Sequence, residues 1–145
     1  MTAPKFVVAP HEVDTIMAEW VTAKVLSTPG LTGVRNMSAV SLFFEPGQGH
    51  ARHNHADNEQ FIFVVSGNGT QMVEMEPGRP VTHDISAGSL VCIPRGAYHE
   101  TFNTGWEPMR LLAVYSPCGP ETFMRDSAEF RVIPAGEVPV RVVSR

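Results

Sequence analysis

The chain has 145 residues, 43% of them hydrophobic, and a formal net charge of −4 at pH 7. This length and composition are typical of one folded domain with its own core, which we place at residues 1–145, and they exclude a disordered chain. The scattered Lys and Arg residues do not favour nucleic-acid binding, and no apolar run is long enough to cross a membrane. The first ten residues lack the pattern of a secretory signal, so we expect a cytoplasmic protein in which Cys92 and Cys118 are free thiols.

Twelve Gly and twelve Pro separate short apolar runs along the chain, which predicts an all-β sandwich or barrel. A short N-terminal helix is expected over 11–20, and a further helical turn over 120–127. Between and around them we predict strands at 5–8, 23–26, 37–44, 60–65, 70–75, 88–93, 100–103, 110–115 and 130–133. The dipeptide Asn68-Gly69 accepts the positive φ angles of a type I′ turn, so a hairpin is expected at that point.

The run 60–65 has two largely apolar faces, because side chains alternate along a strand. One face carries Gln60 and two aliphatic residues, and the other carries Phe61, Phe63 and Val65. One face is expected to line the barrel, and the other needs cover from the N-terminal arm, the C-terminal tail or a second subunit. We therefore expect a homodimer.

The tripeptide His53-Asn54-His55 places two imidazoles on the same side of a strand. Imidazole is a common ligand of late first-row metals, so both side chains could reach one ion inside a barrel. An isolated H-x-H pair is a weak signal, and its weight here comes from what surrounds it.

Two spaced motifs surround the pair. The first has Gly47, five residues, His53-x-His55, four residues, Gln60, six residues and Gly67. The second has Gly88, five residues, Pro94-x-Gly96, two residues, His99, three residues and Asn103.

Together these motifs resemble those of the cupin superfamily, in detail over residues 40 to 116. The resemblance implies a cupin double-stranded β-helix, a jelly-roll-like barrel, that holds one divalent metal ion. Its metal ligands would be His53, His55, Gln60 and His99.

The family usually has Glu where this chain has Gln60, and the neighbouring Glu59 is the alternative candidate. The motif spacing selects Gln60. Adjacent strand residues point to opposite faces, so only a local bulge would allow Glu59 to face inward.

A glutamine ligand removes one negative charge from the metal site. Three neutral imidazoles and an amide oxygen leave the double charge of the ion uncompensated, which favours Lewis-acid chemistry over redox chemistry. We expect Zn²⁺, with Fe²⁺, Ni²⁺ and Mn²⁺ as alternatives.

Candidate catalytic residues near the motifs are His50, Glu59 and Tyr98. His50 has the opposite strand parity to His53, which places it on the surface or at the barrel mouth. Ala51 is expected to face inward with Ile62 and Val64. The expected interior contains no Lys or Arg, which suits a bulky apolar substrate better than a small dianion.

The ligand set and the chain length are similar to those of zinc-containing single-cupin cyclases of bacterial aromatic polyketide pathways, of the kind that acts in resistomycin biosynthesis. This resemblance implies aldol-type ring closure and aromatisation of a poly-β-ketone in antibiotic biosynthesis. The alternatives are an Fe(II) cupin dioxygenase, a cupin sugar-acid isomerase and a non-catalytic binding module.

Overall fold

The computed structural model describes residues 2–140, which form a sandwich of two antiparallel β-sheets. The strands within this range are β1 (Thr15–Ala18), β2 (Val21–Ser27), β3 (Ser38–Phe44), β4 (Gly49–His53), β5 (Glu59–Ser66), β6 (Asn68–Glu76), β7 (Arg79–Ser86), β8 (Leu90–Ile93), β9 (His99–Asn103), β10 (Met109–Ser116) and β11 (Arg131–Ile133). Two short helices, α1 (Pro29–Thr32) and α2 (Pro120–Asp126), accompany them.

The larger sheet has seven strands in the order β11-β1-β2-β3-β10-β5-β8, and the smaller has four in the order β4-β9-β6-β7. The core lies between the two sheets. Alternate residues of β3, β5 and β10 point into it, among them Val40, Ile62 and Leu111. The all-β prediction is confirmed. It succeeded because apolar residues alternate with a period of two in these strands.

The N-terminal helix expected over 11–20 was wrong. A single 3-10 turn, Pro10–Glu12, is followed by β1, all four residues of which are buried. Pairing of β1 with β2 and β11 overrides the local helical preference. The strand expected at 5–8 is also not formed, whereas the second helical prediction corresponds to α2.

The hairpin expected at Asn68-Gly69 was also wrong. β5 and β6 belong to different sheets, and the positive φ angle, 92°, falls on Gly67. A Cβ atom on Gly67 would lie 2.8 Å from the Cα of Met109. The turn therefore moves the chain from one sheet to the other, where only glycine fits.

Gly47 and Asn103, one residue from each motif, interlock at one end of the sandwich. The amide of Gly47 donates to the carbonyl of Asn103, 2.9 Å away. The Asn103 side chain is buried and donates to the carbonyls of Phe44 and Glu107, while its Oδ1 accepts from the amide of Gly105. Asn103 thus has a structural role, because all its polar atoms are satisfied.

The outer face of β5 is not covered by the part of the chain that the structure describes. Phe61 is 54% exposed, and Phe63, Val65 and Leu90 of the adjoining β8 are exposed too. A groove of ≈ 500 Å³ lined by Phe61, Cys92 and Val114 runs over this face. Neither terminus supplies the expected cover within residues 2–140, and the homodimer stays a prediction.

Candidate metal centre

Three histidines converge between the two sheets. His53 ends β4, His99 begins β9, and the two residues are paired partners, while His55 lies two residues after the end of β4. One ring nitrogen from each of the three lies within 4.8 Å of the others. Nitrogens bound at about 2.1 Å to one tetrahedral ion lie about 3.4 Å apart, so the rings would move together by at most about 1.4 Å on binding.

The hydrogen bonds of two rings leave their Nε2 atoms available. Nδ1 of His53 lies 2.7 Å from the carbonyl of Ala51, and Nδ1 of His99 lies 2.9 Å from the carbonyl of Ala97. A carbonyl can only accept, so each Nδ1 carries the proton and each Nε2 presents a lone pair. This backbone support is the usual way in which a metal-binding imidazole is oriented.

Burial keeps the imidazoles neutral. It lowers the pKa of His55 and of His99 to about 4, with a smaller contribution from His53 in each case. Burial likewise lowers the pKa of His53, against the opposing effect of its hydrogen bond to Ala51. Neutral imidazole is the form that ligates a metal.

Gln60 lies at the start of β5, is 4% exposed and points inward. Its Oε1 atom is buried without a hydrogen-bond partner, as are Nε2 of His55 and Nε2 of His99. Buried polar atoms are rarely left unpaired, and unpaired nitrogens on two of the three clustered histidines fit a cation. Glu59 is exposed on the opposite face, which confirms the orientation predicted for this pair.

The parity expectation for His50 was wrong. The pairing register of β4 with β9 shifts between His50 and His53, which indicates a bulge. The two rings therefore share one face and stack with centroids 3.5 Å apart. The same shift leaves Ala51 exposed, contrary to prediction.

His50 continues an aromatic row that leads away from the histidine cluster. Its ring stacks on Trp20 at 4.2 Å, and Trp20 meets Phe130 edge-on at 5.8 Å. Burial, followed by the three neighbouring histidines, lowers the pKa of His50 to about 3. His50 is therefore a neutral side chain that packs beside His53, and it is a weak base.

Tyr98 and Glu59 are not brought to the cluster. The Arg52 guanidinium lies 3.7 Å from the centre of the Tyr98 ring and donates to Glu74 at 2.7 Å. This group ties β4 to β6 across the outside of the smaller sheet. The sequence interpretation missed both this ion pair and the buried Glu121, because each depends on contacts between distant segments.

Tyr115 of β10 lies beside the candidate ligands. Its ring meets that of His55 edge-on at 5.3 Å, and its strand neighbours are Gln60 and Ser38. Burial, with the negative charge of Glu121, raises the pKa of the Tyr115 phenol. Within residues 2–140 no Lys or Arg is buried, as predicted for the interior.

A two-sheet β-sandwich with a three-histidine cluster between its layers defines a small β-barrel protein that could hold a metal. Residues 41–115 match the model of the Cupin domain, and the chain belongs to the cupin family.

Relatives include both enzymes and binding proteins. Auxin-binding protein 1 of Arabidopsis thaliana is 32% identical over 90 residues, which cover 59% of this chain and 45% of that protein. A glucose-6-phosphate isomerase of Thermococcus onnurineus is 32% identical over 73 residues, 50% of this chain and 37% of the enzyme. The matches thus span less than half of these relatives.

Solved structures share the fold. KdgF from Halomonas sp. superposes with a TM-score of 0.59 at 20% identity, over 72% of this chain and 86% of KdgF. Oxalate decarboxylase from Bacillus subtilis gives 0.66 at 20% identity, over 77% of this chain and 32% of the enzyme. The relatives and structural neighbours therefore include enzymes. No helix within residues 2–140 is long and apolar enough to cross a membrane.

Proposed function

We propose that the chain is a non-redox metal-dependent enzyme that closes rings on a poly-β-ketone by aldol addition and loss of water. The observation that carries this proposal is the cluster of three neutral imidazoles, together with the buried and unpartnered Oε1 of Gln60. These residues would hold one divalent ion, most simply Zn²⁺, and that ion would supply Lewis-acid polarisation of a substrate carbonyl.

The absence of charge in the donor set favours this chemistry. The inward residue of the first motif is an amide, and the neighbouring carboxylate of Glu59 points outward. No carboxylate of the motif therefore compensates a cation at the cluster. A higher oxidation state would be disfavoured in such a site, which speaks against the dioxygenase alternative.

The surroundings favour an apolar substrate. Aliphatic residues of β3, β5 and β10 fill the layer next to Gln60, and Trp20 and Phe130 extend the aromatic row from His53. With no Lys or Arg buried in the described range, an anionic substrate would find no charged partner there. The barrel residues would fold the ketone chain, hold it close to its reacting geometry and exclude water.

A first experiment compares metal content by elemental mass spectrometry in the wild type, Gln60→Ala and the matched neighbour control Glu59→Ala. We expect about one zinc per chain in the wild type and in Glu59→Ala, and clearly less in Gln60→Ala. Loss of metal only in Glu59→Ala would contradict the ligand assignment, and stoichiometric iron with oxygen consumption would favour a dioxygenase.

The second experiment tests the reaction itself with 1-phenylhexane-1,3,5-trione. Aldol closure of this triketone with loss of one water gives 5-phenylresorcinol, which is followed by liquid chromatography. We expect metal-loaded wild type to accelerate closure and His99→Ala to lose the acceleration. No acceleration by a fully metal-loaded protein would contradict the proposal.

A sugar isomerase is the second candidate, because the Thermococcus relatives are glucose-6-phosphate isomerases. Isomerisation of a sugar also begins with removal of a proton next to a carbonyl. Within residues 2–140 no Lys or Arg is buried, whereas a phosphate or carboxylate prefers such a cation as its partner. Turnover of glucose 6-phosphate without closure of the triketone would favour this alternative.

A further inference from the structure

We propose that Glu121 is the general base of this site, an inference that rests on the proposed function. Glu121 lies in the first turn of α2 and is 4% exposed. With Met124, which joins the core, it forms the buried side of this helix. The sequence motifs do not include it. In the fold, Glu121 contacts Ser38, the first residue of β3.

The hydrogen bonds of Glu121 use one of its two oxygens. Ser38 Oγ donates to Oε2 at 2.6 Å, and the amide of Gly119 donates to the same atom at 2.8 Å. Oε1 accepts no hydrogen bond from the residues that the structure describes. Two donors hold the carboxylate in a fixed orientation, and the second oxygen keeps the lone pairs that take up a proton.

The strand register places Ser38, which donates to this carboxylate, two strands away from Gln60. Ser38, Tyr115 and Gln60 are paired neighbours on β3, β10 and β5, and all three are buried on the inner face. Neighbouring strands are about 4.8 Å apart, so the backbones of Ser38 and Gln60 are separated by about 10 Å. Tyr115 lies between them, in contact with His55.

Proton removal next to a carbonyl group requires a base within reach of the bound substrate. The substrate carbonyl oxygen would lie at the metal ligands, and the base would lie about 3 Å from the α-carbon. The distance from the ligand end to the carboxylate is then about 7 Å. The step is balanced within the site. Glu121 takes the proton from the α-carbon, the C–H electron pair becomes the enolate double bond, and the carbonyl oxygen takes the negative charge.

Another buried carboxylate, Glu74, does not compete for this role. Its oxygens accept from the Arg52 side chain at 2.7 and 3.3 Å, on the outer side of the smaller sheet. Glu121 has no Lys or Arg among its hydrogen-bond donors.

Helix capping by Glu121 is the structural alternative, and Glu121→Gln separates it from the catalytic role. Glutamine keeps an acceptor oxygen for Ser38 and Gly119 and has nearly the same shape, but its amide does not accept a proton near neutral pH. If Glu121 only caps α2, the variant should behave almost as the wild type. Asp126→Asn on the exposed side of the same helix is the matched control.

The experiment follows hydrogen–deuterium exchange at C1 of 2-tetralone in D₂O by proton NMR, with zinc-loaded proteins of equal metal content. We expect exchange with the wild type and with Asp126→Asn, and at least about a 100-fold loss in Glu121→Gln. Exchange by Glu121→Gln within about threefold of the wild type would overturn the assignment. Exchange that depends on Glu121 without closure of the triketone would overturn ring closure alone, and no exchange by the wild type would overturn both.

A second measurement needs no variant. 2-Bromoacetophenone alkylates a carboxylate oxygen with loss of bromide, and peptide mass spectrometry locates the ester. We expect wild-type protein to carry the ester on Glu121, and excess 2-tetralone to prevent it. Modification confined to other residues would overturn the role of Glu121.

Discussion

The replacement Gln60→Glu tests the dry, neutral character of the candidate metal centre. The Gln60 side chain is 4% exposed and its Oε1 has no partner. A carboxylate at this position would be buried without a counter-charge in the metal-free protein. The effective penalty for such a charge is several kcal/mol, so we expect metal-free Gln60→Glu to lose about 3 kcal/mol of unfolding free energy at neutral pH.

Metal should reverse this effect, because a bound cation compensates the introduced charge. At about 3 °C per kcal/mol for a chain of this size, metal-free Gln60→Glu should melt about 9 °C below the metal-free wild type. The rise in melting temperature on adding zinc should then be larger for the variant than for the wild type.

The assay is thermal unfolding by circular dichroism, with and without a chelator. Glu59→Gln is the matched control, because it makes the reverse change at an exposed neighbour and should stay within about 0.5 kcal/mol of the wild type. Equal stability of the metal-free wild type and metal-free Gln60→Glu would refute the assignment of Gln60 to a dry site.

Three further predictions concern packing, charge and association. Gly69→Ala would place a Cβ atom 2.2 Å from a backbone carbonyl of β9, and should lower the unfolding free energy in urea by about 3 kcal/mol, whereas Gly30→Ala has open space and should change little. The hydrogen bond from Arg125 lowers the pKa of Asp14, so its stabilisation is present near neutral pH and lost as the pH falls through the folded-state pKa. Asp14→Asn should therefore lower the urea midpoint near neutral pH by an amount worth about 0.5 kcal/mol, with no difference left in acid, and an equal loss in acid would contradict the pairing. Phe61→Glu should convert the expected homodimer to a monomer in sedimentation experiments, and an unchanged mass would exclude this face as the interface.

Structural features with a local cause could be predicted from the sequence. Alternation of buried and exposed positions identifies β3 and β10, because each has one side against the core. Motif spacing led to His53, His55 and His99, which the structure brings together. Motif spacing selected Gln60 as the inward residue, and strand parity predicted that Glu59 lies on the opposite face.

Structural features that depend on contacts between residues far apart along the chain could not be predicted from the sequence. The bulge in β4 appears only in its register with β9, so strand parity failed for His50. Residues 11–20 have a helical pattern that sheet pairing of β1 overrides. Glu121 belongs to no motif, and the hydrogen bond that it accepts from Ser38 joins segments that are far apart along the chain.

The pairing of β4 with β9 has a consequence for the order of events during folding. His53 and His55 are neighbours even in an unfolded chain, but His99 joins them only when these two strands meet. Closing the long loop between the motifs carries an entropic cost that two imidazoles alone do little to offset. Metal uptake should therefore follow closure of the barrel, and the metal-free chain should reach the same topology before an ion is captured.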